Sequence, residues 1–210
     1  EGYGSLSFGT YSTVNAEAAI NVPLSDTVSA RVSLLNQTRD DWVKNTFTPA
    51  QTNELEGYRD TAVRAQLLVQ PSKDFSALLN VHSRDLNGSA RLFRANIIKP
   101  GTNDLVSIDP ATGQFVDFDE SKISIDGKNE SKLKVKGANA RLRWGFGDLA
   151  LYSITGYESL DTFNRGDIDG GYGAPFSPVP PGPGSIAFAS ETADGIPKHK
   201  QLTQEFRLES

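Results

Sequence analysis

The chain contains no cysteine and no methionine. Without cysteine there is neither a disulfide framework nor a thiolate metal site. Long apolar runs are missing too: nothing approaches the roughly 18–20 consecutive apolar residues of a membrane helix. There is no basic stripe either. Lys and Arg number 21 against 26 Asp and Glu, intermixed, for a formal net charge of −5. A surface of that kind does not neutralise phosphates, which excludes nucleic acid as a partner. The only histidines are His82 and His199, too few for a first-row metal centre without carboxylate help, so no metal site and no cofactor are expected. An initiating methionine and a signal peptide are also absent. The start at Glu1, directly in a strand-like run, suggests a piece of a longer chain.

What is present is alternation of period two, with hardly any helical periodicity. In residues 13–22, Val14, Ala16, Ala18, Ile20 and Val22 share one face, opposite Asn15, Glu17, Ala19 and Asn21. Pro23-Leu24-Ser25-Asp26 supplies a compact turn, and Val28, Ala30, Val32 and Leu34 then alternate with Ser29, Arg31 and Ser33. The unit recurs. Residues 61–69 and 75–82 flank a turn at Pro71-Ser72-Lys73-Asp74, and residues 138–144 and 149–157 flank one at Phe146-Gly147-Asp148. Residues 2–10 and 201–208 add a first and a last strand, making about eight. In 149–157 the apolar face is ambiguous, because Ser153 and Thr155 fall in phase with Leu149 and Leu151.

The three tight turns alternate with long connections rich in Gly, Pro, Asn and Asp, at residues 39–57, 87–132 and 164–197. Short turns at one end and long loops at the other are the signature of a bacterial outer-membrane barrel. The runs also approach the ~9–11 residues that a tilted spanning strand needs. Inside the second connection, Val106-Ser107-Ile108 and Gln114-Phe115-Val116 predict a hairpin of their own. Trp42, Phe75 and Trp144 stand where an interfacial aromatic girdle would lie, whereas Tyr58 is out of phase with the Val63 face unless a bulge intervenes.

Chemistry-bearing patterns are sparse. Arg31, Arg64, Arg141, Arg143 and Arg207 share the polar face with Glu17 and Glu205, and their expected role is to brace the wall by hydrogen bonds rather than to guide an anion. Asp117-Phe118-Asp119-Glu120 and Asp167-Ile168-Asp169-Gly170-Gly171 invite a calcium reading. Neither has the spacing of a twelve-residue calcium loop, and both are expected to be solvated. The proline-rich stretch at 171–184 cannot form regular hydrogen-bonded structure. No phosphate loop, nucleophile elbow or His–carboxylate triad is present, so no catalytic residue and no enzyme is expected.

The opening Gly2-Tyr3-Gly4-Ser5-Leu6-Ser7-Phe8-Gly9-Thr10-Tyr11 resembles the first barrel strand of TonB-dependent receptors. So does its continuation through Asn21-Val22-Pro23-Leu24-Ser25-Asp26-Thr27, Ala30-Arg31-Val32 and Arg39-Asp40-Asp41-Trp42. Ser153-Ile154-Thr155-Gly156-Tyr157 and Gln204-Glu205-Phe206-Arg207-Leu208 are similar to later strands of those barrels. The resemblance implies an antiparallel transmembrane β-barrel fragment, residues 1–210, in the outer membrane of a Gram-negative bacterium. Its partners would be membrane lipid and a small ligand such as a ferric siderophore, with TonB engaged only through a plug region that this sequence lacks. In that setting Arg91, Arg94, Phe115, Phe118, Tyr172 and Phe176 are the candidates for an outer ligand vestibule. Two other readings compete: a complete eight-stranded barrel with a structural, adhesion or passive-pore role, and a secreted all-β binding protein.

Overall fold

A computed structural model describes residues 1–47, 50–94, 97–109, 112, 114–170 and 190–210. Among the described residues every regular element is a strand, in keeping with the period-two pattern. Eight of them form one antiparallel sheet. Strand β1 (Gly2–Gly9) turns through Thr10, Tyr11 and Ser12 into β2 (Thr13–Pro23), which leads to β3 (Val28–Arg39). The first long connection carries β4 (Val43–Asn45) and β5 (Glu54–Leu55), then gives way to β6 (Tyr58–Ser72) and β7 (Phe75–Gly88). The second carries β8 (Val106–Ile108), β9 (Phe115–Asp117) and β10 (Lys122–Ile123). Three long strands close the chain: β11 (Glu130–Phe146), β12 (Leu149–Asp167) and β13 (Glu191–Glu209).

In the large sheet each inner strand pairs with its neighbours on both sides, in the order β1-β2-β3-β6-β7-β11-β12-β13. This is the up-and-down antiparallel architecture expected from the sequence. Among the described residues β1 and β13 are its two edges and do not pair with each other. The tight turns are where the sequence puts them. Between Phe146 and Leu149 the chain reverses through Gly147 and Asp148, and Gly147 takes φ +64°, a conformation that costs glycine little.

Register decides what each face carries. One row, directly paired strand to strand, reads Ile20, Val32, Ala65, Val81, Ala138, Tyr157 and Leu202. Nearer the tight turns Phe75, Trp144, Leu151 and Leu208 form another. Their larger side chains stand in the open: Val81 is 55% exposed, Trp144 59% and Leu202 73%. Exposed apolar rows of this extent are uncommon on a sheet that faces water. Along β11 the same face continues upward from Ala138 into Lys136, Lys134 and Lys132. From Phe146 to Ala138 the strand rises about 27 Å at ~3.4 Å per residue. Tilted by ~40°, that spans roughly 21 Å along the normal, slightly less than the ~25 Å apolar band of an outer-membrane barrel.

The ambiguous strand is resolved. Ser153 and Thr155 do lie on the apolar face, where Gln204 of β13 bonds both, at 3.1 Å and 2.6 Å. The opposite face is polar and internally bonded. The Arg31 guanidinium donates to Asn21 Oδ1 at 3.0 Å, Arg143 to the Lys73 carbonyl at 3.0 Å, and Arg207 to Glu205. Arg84 grips Asp60 with two bonds of 2.9 and 2.7 Å. His82 reaches Glu158 at 3.2 Å across the intervening β11, where Gly137 stands opposite both. A Cβ at Gly137 would collide with the Glu158 carboxylate, so the glycine leaves room for the link. These contacts fit the bracing role. Tyr58 belongs to this face with no bulge between it and Val63; the Arg39 guanidinium lies 5.0 Å over its ring.

Candidate functional site

The long connections are not structureless. At their end of the sheet, β4 pairs antiparallel with β5 and parallel with β10, which joins the first connection to the second. Val43, Leu55, Ile123 and Ile125 form a small core there, each at most 6% exposed, with Trp42 and Leu92 packed against it. Trp42 thus belongs to this core rather than to an interfacial girdle. It stacks on Tyr11 with ring centroids 5.0 Å apart, and the Tyr11 carbonyl accepts the Asp40 N–H.

Asn45 is the polar pin of this core. Its side-chain amide donates to the carbonyls of Thr52 (2.8 Å) and Ile125 (2.7 Å) and accepts the Ile125 N–H at 3.0 Å. The two Ile125 groups are buried, and a buried backbone group left unpaired costs about 1–3 kcal/mol. The variant Asn45→Ala is therefore expected to loosen both connections by about 2–4 kcal/mol while leaving the large sheet intact. Protease sensitivity of residues 42–56 and 118–129 measures this. Cleavage at the wild-type rate would remove Asn45 from the role.

Of the six residues expected to line a vestibule, four lie among the described residues. Arg94 and Phe118 are brought together, the guanidinium 5.6 Å from the ring centroid. Yet Arg94 is engaged, donating to the carbonyls of Glu120 (2.8 Å) and Lys122. It clamps the turn before β10 and is not free for a ligand. Arg91 is exposed and lines an open cleft of about 320 Å³, together with Leu92, Phe93, Arg165, Thr192 and Asp194. Phe115 sits on β9 of the expected hairpin, 46% exposed. Tyr172, Phe176 and the proline-rich stretch lie outside the described residues.

One expectation fails outright. The Asp167-Ile168-Asp169 run was expected to be solvated, but Asp167 is 5% exposed and Asp169 1%. β12 runs on to Asp167 and β13 starts at Glu191, so the third connection is shorter than 164–197 and both aspartates lie at its packed base. Asp126, from the segment before β11, joins them. Burial and the neighbouring Asp169 push the Asp167 carboxyl up to about 7, against the backbone N–H groups of Gly170 and Gly127 that donate to it. Burial and Asp169 raise Asp126 as well. The dyad at 167 and 169 is visible in the sequence, whereas nothing there signals that Asp126 folds back onto it.

The fold is similar to part of a solved structure, the crystal structure of the ferric yersiniabactin uptake receptor FyuA from Yersinia pestis. The TM-score is 0.54 and the identity 14%, over 79% of this chain and 26% of that one. At that identity the likeness concerns the fold alone. No protein-family model matches the chain, and no curated protein matches it significantly.

Proposed function

We propose that this chain forms part of the wall and outer vestibule of a Gram-negative outer-membrane receptor. Such a receptor takes up a scarce small molecule of the ferric-siderophore kind, with energy delivered through TonB. One observation carries the reading: a sheet with one exposed apolar face and one bonded polar face, turned tightly at one end and crowned by structured connections at the other. The apolar face suits lipid, the polar face suits a filled interior, and the crown suits capture of a ligand outside the cell. The similarity to a siderophore uptake receptor supports the same reading.

The strand count of the large sheet favours a complete eight-stranded barrel, but that requires the edges β1 and β13 to pair, and they do not. Uptake separates the two. Cells making the intact protein are expected to accumulate a ferric siderophore from a panel at least ten-fold above a deletion strain, and an uncoupler should abolish the difference. Accumulation that ignores the uncoupler would indicate a passive pore.

A further inference from the structure

Three carboxylates from two distant parts of the sequence meet at the long-connection end of β12. Asp126 precedes β11, Asp167 ends β12 and Asp169 follows it, and their oxygens lie within 4.8 Å of one another. Their exposures are 4%, 5% and 1%. Crowded acids alone assign no ligand, since many proteins carry them at the surface. A second feature does point to one. Asp126 Oδ1 is sealed from solvent and accepts no hydrogen bond. A carboxylate oxygen in that state is costly unless a donor or a cation meets it.

The Asp167 carboxyl hydrogen-bonds the Asp126 side chain when it carries a proton; the neighbouring N–H donors are committed elsewhere. Arg165, on the same strand as Asp167, pairs its guanidinium with Glu191. The Lys128 N–H also goes to Glu191, at 2.8 Å, and the N–H groups of Gly127 and Gly170 go to Asp167.

We propose that Asp126, Asp167 and Asp169 bind a divalent cation of the calcium class, tying the segment before β11 to the end of β12. The donor set consists of hard oxygens without histidine or cysteine, which suits calcium or magnesium rather than a first-row transition metal. Two oxygens each ~2.4 Å from one calcium ion stand at most about 5 Å apart, as wide as the cluster. Calcium also accepts irregular shells filled by carbonyls and water, whereas magnesium demands a tight octahedron. The cation would offset the mutual repulsion of the three carboxylates and meet the stranded Asp126 oxygen. This inference does not depend on which molecule is transported.

The test uses the chain as the cell makes it, with all flanking sequence, in detergent and stripped with EGTA. Calorimetric titration with calcium chloride is expected to show a saturable site with a dissociation constant on the order of 10⁻⁵–10⁻³ M. That site should weaken at least ten-fold in Asp126→Asn and in Asp167→Asn, and stay unchanged in Asp117→Asn, an exposed carboxylate on β9. Magnesium chloride should bind at least ten-fold more weakly. Proteolysis distinguishes ligation from a folding defect. Saturating calcium is expected to slow cleavage between β10 and β11 several-fold in the wild type and not in Asp126→Asn. In EGTA the variant, relieved of like charge, should be cut no faster than the wild type. Absence of saturable calcium binding, binding that survives both substitutions, or a preference for magnesium would each overturn the assignment.

Discussion

Replacing Leu79 with arginine is expected to destabilise the membrane-embedded protein by about 2–4 kcal/mol, the cost of a cation at the middle of a lipid-facing band. Leu79 pairs with Leu67 on one side and Ala140 on the other, and is 42% exposed. The rows beside it, through Val81 and Ala77, belong to the same apolar face. Asn87 shares that face of β7 but lies beyond the band, opposite Lys132. Asn87→Arg should therefore cost only about 0–1 kcal/mol. Urea unfolding in lipid vesicles measures both. Equal costs at the two positions would mean that the face does not meet lipid.

The second large effect concerns the edges. Taken alone, the 210-residue chain is expected to aggregate when refolded into detergent. Among the described residues β1 pairs only with β2 and β13 only with β12, so each edge offers a row of backbone N–H and C=O groups that no other described strand pairs. The β13 edge runs 19 residues, and its only relief is the irregularity opposite Leu160 and Thr162, which takes in Pro197 and Lys198. Apolar surroundings cannot satisfy such groups, at several kcal/mol each. Other copies of the chain can. A compact band on unheated gels that shifts on boiling, together with a monomeric mass, would show instead that the sheet closes by itself.

The strands were legible because their signal is local: a period of two, repeated over many residues, with turn residues between. The ends of β12 and β13 were not. Above the apolar band both faces of β12 carry polar residues, Ser159 and Asp161 on one and Thr162 and Asn164 on the other, so alternation fades there although the pairing continues. The crown was hidden for a different reason. Strands of two or three residues, such as Glu54–Leu55 and Lys122–Ile123, are too short to show a period. What holds them is long-range, with Asn45 bonding Ile125 from the far side of two strands of the large sheet. Arg94 and Phe118 stood among six separate vestibule candidates, and their approach to each other, with Arg94 bonded to the carbonyls of Glu120 and Lys122, was not legible from their spacing. Burial of Asp167 and Asp169 was missed because a short acidic run usually marks solvent, and only the approach of Asp126 shows otherwise.

The central claim is that one face of this sheet meets lipid and the other a filled interior. These 210 residues hold no cysteine, so single cysteines can be placed along β7 from Phe75 to Gly88 and spin-labelled in the intact protein, freed of any cysteine elsewhere and reconstituted in bilayers. Collision with oxygen should alternate with period two: high at 77, 79 and 81, low at 78, 80 and 82. A polar nickel reagent should take over from 85 upward. Collision rates without that alternation, or nickel access at 79 and 81 equal to that at 87, would contradict the account.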